Sequence, residues 1–296
     1  MFQNISEQET INNNDEQIES KKKFSIKQLL KNMLTIPNII IYVVSFMIST
    51  VSILDGMAVF AIAIFAAACS NGMVAGLVYV STLAGTFVGL GKEAFLNYLL
   101  TSLFFMVLIL LVKPRIQEET KNEKMLLGKH LIFAVICLQA VNLFTGTYLI
   151  ADLLITIMQA ILTYIFYKIF VNSIPVLQDI GSKKAFTIEE VIGASLLVSI
   201  AISATSNVNL FGISISNILS ILLVLVLGWK NGILVGATTG LTIGVVLAII
   251  GVGDNGIIAT YALSGMIAGI LNKFGRIGVI VGFAIGSGIL IYTTNS

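Results

Sequence analysis

Four acids interrupt otherwise apolar stretches of this chain: Asp55, Glu93, Asp152 and Asp254. Carboxylates inside a membrane are the groups from which proton relays and ion paths are built, because a charge there is costly unless a partner or a function holds it. All four fall at the ends of apolar runs, so interfacial solvation is their expected state. Asp152, a few residues inside its run, is the one nearest to apolar surroundings. His130 opens a run and reads as a hydrated interface residue rather than a proton relay or metal ligand. Cys69 and Cys137 sit within apolar runs and read as small buried residues, not as a disulfide or a metal site. Asp55-Gly56 is a turn between two runs. Nucleophile elbow, phosphate loop, HExxH and Cys/His ligand spacings are all missing from the sequence. No soluble stretch is long enough to form an enzymatic domain. The expectation is therefore no catalytic residue, no cofactor and no metal in this chain. The basic residues are dispersed, so nucleic acid is not an expected partner.

One constellation has a structural reading. Thr187 precedes an apolar run and Glu190 follows it by three, the capping-box spacing, in which the hydroxyl accepts from the third backbone amide and the carboxylate reaches back. Glu189 and Glu190 also suit the positive end of a helix.

These residues need elements to hold them, and composition says which. Of 296 residues, 57% are hydrophobic and only 11% are charged, against roughly 25% charged in soluble domains. Long apolar runs with short polar punctuation specify an all-α fold: a polytopic transmembrane helical bundle. The runs fall at about 38–54, 57–70, 73–90, 94–112, 130–145, 149–170, 189–204, 212–228, 231–250, 256–271 and 277–292, giving about 10–11 membrane segments. Several are shorter than the roughly 20 residues of a perpendicular span. The 57–70 and 130–145 runs are the least certain, and 57–90 has the alternative of a re-entrant pair.

Ahead of these runs, residues 1–23 are polar and Asn/Glu/Gln-rich, the composition of a disordered tail. Residues 24–36 form a basic amphipathic N-terminal helix: Ile26, Leu29, Leu30, Met33 and Leu34 share one face, flanked by Lys27 and Lys31 and preceded by Lys21, Lys22 and Lys23. Such a helix lies in the headgroup layer, drawn to anionic lipid, and Pro37 stops it. Residues 37–296 are the transmembrane domain, with cytoplasmic loops at about 113–129 and 172–188. With a cytoplasmic N-terminus and every run crossing, sixteen of the seventeen Lys and Arg fall inside, including Lys113, Arg115, Lys273 and Arg276, and only Lys92 falls outside. That distribution obeys the positive-inside rule.

Glycines recur every four residues at Gly232, Gly236, Gly240 and Gly244, at Gly278, Gly282 and Gly286, and in the pairs Gly265/Gly269, Gly72/Gly76 and Gly85/Gly89. Residues four apart share a helix face, and glycine there lets backbones approach closely in lipid. The rival use is a path for a small solute lined by exposed backbone, as in transporters.

From about Ala151 onward the wording is distinctive. NSIPV (Asn172 to Val176), TIEEVI, GWKNGILVGATTGLTIGVVLAIIGVGDN and ALSGMIAGILNKFGRIGVIVGFAIGSGIL resemble the membrane region of the stage II sporulation protein E family of endospore-forming Firmicutes. The basic head before Ile41–Val44 fits as well. The resemblance implies the N-terminal membrane region of a sporulation serine phosphatase. In that family a cytoplasmic central region and a type 2C phosphatase domain follow, the latter requiring Mn or Mg. The phosphatase activates the forespore sigma factor, and the membrane and central regions place it at the asymmetric septum with the division protein FtsZ. It also implies the cytoplasmic membrane of a Gram-positive cell. This chain ends at Ser296 with no counterpart of the phosphatase's metal-binding acids, which leads us to expect a truncated or separately encoded membrane region. The reading is thus a non-catalytic membrane anchor that works through localisation and self-association, with the lipid bilayer as its first partner. The alternative is a small-solute transporter or its substrate-binding membrane subunit.

In vesicles of known sidedness, an Asp254→Cys variant is expected to react with a membrane-impermeant thiol reagent only from outside, and a Lys121→Cys variant only from the cytoplasmic side. Reaction of the Asp254→Cys variant from the cytoplasmic side alone would reverse the orientation.

Overall fold

The computed structural model describes residues 33–53, 58–71, 75–112, 120–145, 150–179, 186–250 and 256–294. Two compact units divide the chain, 1–40 and 41–296. In the first, the described residues from Ile36 onward begin helix α1 (Ile36–Ser49), with Pro37 in its opening turn, where a missing N–H costs no helical bond. Residues 24–32 of the expected interfacial helix, with Lys27 and Lys31, lie outside the described residues, as do Lys21, Lys22 and Lys23.

The rest is helical apart from one short ladder. Helices α2 (Val59–Ser70), α3 (Ala75–Val112), α4 (Thr120–Thr145), α5 (Ile150–Gln178) and α6 (Ile188–Ser203) lead to a two-residue antiparallel pair, β1 (Asn209–Leu210) with β2 (Ile213–Ser214). Then follow α7 (Ile215–Ile249), α8 (Ile257–Ile270), one turn of 3₁₀ helix (Leu271–Phe274) and α9 (Gly275–Thr294). This ladder is the one strand pair among the described residues. Its turn holds Phe211 at φ 51° and Gly212 at φ 84°, a left-handed pair whose Phe gives no sequence signal.

Among the described residues, four helical stretches are long and apolar enough to cross a membrane: Ala75–Leu111, Leu153–Gln178, Ile215–Ile249 and Ile257–Thr293. Three of the four are hairpins. In α3, Gly91 has φ 83° and ψ −178°, a conformation open essentially to glycine alone. The Tyr79 hydroxyl lies 3.2 Å from Ser102 Oγ, and Thr82 Oγ1 lies 2.6 Å from the Tyr98 hydroxyl. Residues 23 apart in an unbroken helix would be about 35 Å apart. The chain therefore reverses at Gly91, and residues 75–90 (α3a) pack antiparallel on 92–112 (α3b). Gly232 (φ 80°, ψ −161°) reverses α7 in the same way, into 215–231 (α7a) and 233–249 (α7b), and Gly275 (φ 72°, ψ −156°) joins α8 to α9. These halves are the separate segments read from the sequence.

The other expected boundaries need adjusting. Helix α4 begins at Thr120 and α5 continues to Gln178, so 120–129 and 172–178 are helical where loops 113–129 and 172–188 are expected. Hydropathy marks where lipid ends; the backbone ladder is local and continues through good helix formers such as Lys121, Glu123, Lys124 and Met125. Residues 113–119 and 180–185, with Lys113 and Arg115, lie outside the described residues.

Helix α2 is the 57–70 run, and at 12 residues it is only ~18 Å long, well short of a hydrocarbon layer of roughly 30 Å. It is apolar on all sides and buried on all sides: every residue from Val59 to Ala68 is at most 3% exposed. Phe60 meets Phe166 of α5 edge-on at 4.7 Å, and Phe65 lies 4.9 Å from Tyr79 and 6.2 Å from Phe105 of the α3 hairpin. By contrast, Leu154, Ile157, Ile161 and Ile165 of α5, Leu222 and Val226 of α7a, and Ile280 and Ile285 of α9 are exposed. Apolar faces of this kind fit contact with a lipid bilayer.

Asn71 ends α2 and ties it to α5. Pro175 has no N–H to return to the carbonyl of Val171, and the Asn71 side-chain amide donates to that carbonyl at 3.1 Å. We expect Asn71→Leu to lower stability in detergent by about 1 kcal/mol. In a Pro175→Ala background, where residue 175 regains its N–H, the same change is expected to cost well under half of that. Thermal unfolding of the four proteins checks the cycle, and equal costs in both backgrounds would remove the link.

Candidate helix-packing site in the C-terminal hairpins

Helix α8 has two faces of small residues, and each takes a different neighbour. Toward α7b it presents Ile258, Tyr261, Gly265 and Gly269; toward α9 it presents Ser264, Ile267 and Ala268, continued by Leu271 of the following turn. A methyl group added at Gly236 would stand 2.5 Å from the Gly265 carbonyl oxygen, and one at Gly265 would strike the Gly236 carbonyl in return. At Gly240 it would strike the Tyr261 carbonyl oxygen; at Gly244 it would lie 2.7 Å from Ile258 Cα, and at Gly269 2.5 Å from Ile233 Cα. Carbon atoms are not tolerated at such distances from backbone, so the register of Gly236, Gly240 and Gly244 is a line of backbone-to-backbone contact. At Gly228 of α7a a methyl would meet only ordinary van der Waals contact, 3.6 Å from Gly236 Cα and 3.7 Å from the Gly269 nitrogen.

On the other face a methyl at Gly278 would be 2.5 Å from the Leu271 carbonyl oxygen. At Gly282 it would be 2.9 Å from that of Ile267, and at Gly286 2.5 Å from Ser264 Cα. Tyr261 and Phe283 stack edge-on at 6.1 Å above this seam. Helix α8 is thus held between α7b and α9 by glycine on both sides. The nine glycines in four-residue register in the C-terminal runs are accounted for within the chain: Gly232 makes a turn and the other eight make close contacts, whereas Gly288 faces open space.

The charged pair of the last turn is positioned by these hairpins. The Arg276 guanidinium lies over the Trp229 ring at 4.8 Å, an attraction of about 0.5–1 kcal/mol at an exposed site. Asn272 comes within 3.3 Å of the space beside Gly232, so the α7 and α8–α9 turns lie side by side. Lys273 is exposed beside them.

The N-terminal glycines divide. Gly85 faces the Phe46 carbonyl and Ser49 of α1, and Gly89 faces Thr50, whereas Gly76 has nothing within 4 Å of a methyl. Gly72 lies outside the described residues. Thr187 caps α6: its hydroxyl accepts from the Glu190 N–H at 3.2 Å, and the Glu190 carboxylate accepts from the Thr187 N–H at 2.9 Å. Glu93 is exposed beside the Gly91 turn, and His130 Nδ1 donates to the Leu126 carbonyl one turn back at 2.7 Å. Asp55, Asp254 and the side chain of Asp152 lie outside the described residues. Among the described residues no group of His, Cys, Asp or Glu is placed to hold a metal ion, and neither cysteine is in a disulfide.

Sequence reasoning missed the Thr82–Tyr98 and Tyr79–Ser102 bonds that close the α3 hairpin. The signal was a hydroxyl residue every three or four positions on one face of each run: Tyr79, Thr82 and Thr86 before Gly91, and Tyr98 and Ser102 after it.

Because the Gly240 contact is with backbone, neighbours cannot rotate away. Gly240→Leu is expected to cost on the order of 3 kcal/mol and to lower the thermal midpoint in detergent. Gly76→Ala is expected to be neutral or to stabilise by up to about 1 kcal/mol. Equal midpoints for the two variants would show that the register carries no contact.

Over 142 residues, 48% of this chain, the sequence is 26% identical to stage II sporulation protein E of Bacillus subtilis (strain 168), and that stretch is 17% of the relative's own length. No solved structure matches the chain. A family model described as SpoIIE, N-terminal domain, matches residues 1–296, and the chain therefore belongs to the SpoIIE N-terminal domain family.

Proposed function

We propose that this chain is the membrane anchor and localisation region of a sporulation serine phosphatase, acting at the asymmetric septum in the pathway that activates the forespore sigma factor. The observation that carries this reading is the match of all 296 residues to the SpoIIE N-terminal domain, on a chain of apolar helices built for a bilayer. The chain itself does no chemistry in this reading. A phosphatase domain, with its Mn or Mg, belongs to another part of the protein or to another chain.

Orientation belongs to the same proposal. With the N-terminus in the cytoplasm of a Gram-positive endospore former, the basic residues before Pro37 grip anionic lipid, and the turns carrying Lys230, Lys273 and Arg276 face the cytoplasm, where FtsZ and other septal proteins are reached. The 1–23 tail, the 24–36 helix and the 37–296 bundle are the parts in this scheme. Self-association is a further part of it. Since Gly236, Gly240, Gly244, Gly278, Gly282 and Gly286 are occupied by α8, contacts between copies run through lipid-exposed side chains in this reading. A transporter path lined by backbone glycine loses its support for the same reason: those glycines face neighbouring backbone.

The test is localisation in a sporulating cell. A fluorescent fusion of residues 1–296 is expected to concentrate at the asymmetric septum, while an unrelated multi-span protein carrying the same fluorophore spreads over the whole membrane. An even distribution of both would overturn the localisation role.

A further inference from the structure

Near the start of α4 and the end of α5 lies a cleft of about 410 Å³, within the roughly 300–1,000 Å³ range of small-ligand sites. The packing of α4 on α5 creates it. Gly128 has the edges of Tyr164 and Tyr167 against it, 2.7 Å and 3.0 Å from where a methyl would stand. The Tyr167 hydroxyl donates to the Lys124 carbonyl at 2.7 Å and pins the first turns of α4 to the last turns of α5. Both tyrosine rings are thereby fixed as walls.

The lining is unusual for a cleft among apolar helices. Lys124 and Lys168 both line it, with Asn172 as a further donor, and among the described residues no carboxylate lines it. The Lys168 ammonium lies 5.3 Å from the centre of the Tyr164 ring, an arrangement that holds the charge over the aromatic face. Two lysines lining one cavity favour an anionic ligand there. Lysine, a compact point charge, suits phosphate oxygens.

The surface next to the cleft decides which phosphate. Ile157, Ile161 and Ile165 are exposed one turn apart on α5, leading up to Tyr164 and Lys168, and Met125 at the rim is exposed as well. An apolar ridge running into a basic cleft matches a molecule with acyl chains and an anionic head. We propose that the α4–α5 cleft binds the phosphate headgroup of an anionic lipid, with Lys124 and Lys168 contacting the phosphate and the α5 isoleucines accommodating its chains. The site rests on α4–α5 geometry and is independent of the anchor reading; a protein that fails to find the septum would still be expected to bind lipid here.

The test is native mass spectrometry of the full 1–296 chain in neutral detergent with equal phosphatidylglycerol and phosphatidylcholine. Wild type is expected to retain phosphatidylglycerol preferentially. The Lys124→Gln/Lys168→Gln double variant is expected to lose about 30-fold of that preference, the combined effect of two lysines at an anionic surface. Lys124→Arg, which keeps the charge, is expected to retain it, as is Lys92→Gln/Lys230→Gln, which removes the same charge elsewhere. Thermal midpoints identify any variant that fails to fold, and for such a case charge reversal by Lys168→Glu alone is read instead, with the same loss expected. Displacement of the lipid by millimolar inorganic phosphate would overturn the lipid assignment in favour of a free phosphate ligand. Equal loss of preference in both double variants, or no preference in wild type, would overturn the site.

Discussion

In hydrocarbon, an unpaired backbone N–H or C=O costs several kcal/mol, and most of this structure follows from avoiding that cost. A chain that must turn back near the membrane surface has little room for a loop whose polar groups need water. Gly91, Gly232 and Gly275 solve this by reversing the helix within about one residue, in a φ/ψ region that side chains forbid. Where the ladder must break inside a helix, another group fills the gap: Pro175 removes one N–H, and Asn71, from a helix 100 residues earlier, bonds the Val171 carbonyl. Many of the described hydroxyls follow the same constraint. Thr86 donates to the Thr82 carbonyl, Thr163 to that of Gln159 and Ser199 to that of Ser195, each four residues back along its own helix.

Once the backbone is satisfied internally, helices in lipid gain little from burying apolar side chains and must gain from close packing. The two halves of the 41–296 unit meet this differently. Around α2 the gain comes from aromatic side chains fitted against a short helix of Ala, Ile and Phe. Around α8 it comes from removing side chains, so that carbonyls and Cα atoms touch and weak Cα–H···O contacts become available. The second solution is stiff, because backbone cannot rotate out of the way. It leaves the outward faces of α7 and α9 as plain apolar surface, suited to lipid or to another copy.

Much of the fold was legible in the sequence. The run expected at 189–204 is helix α6 at Ile188–Ser203, and the runs at 212–228 and 231–250 are the two halves of α7. The reason is the steep contrast between lipid-compatible and charged residues, which fixes segment order whatever the packing. Helix ends were legible only where a local signal exists, as at Thr187 and Glu190. At Thr120 and Gln178 hydropathy stopped and the backbone did not. Burial of α2 was not legible, since an apolar run reads the same whether its neighbour is lipid or protein.

The sequence by itself determined that this is a bundle of apolar helices, that glycines line one face of several of them, and that its charges cluster at the turns. Each is a property of residues within a few positions of one another. Only the tertiary structure decided which helices the glycines meet, that α8 uses both of its small faces inside the chain, and that Arg276 rests on Trp229 from a different hairpin. It also brought Lys124 and Lys168 to one cleft. Such contacts join residues tens of positions apart, and the hydrophobic pattern carries no term for that, because lipid and protein neighbours look alike to an apolar side chain.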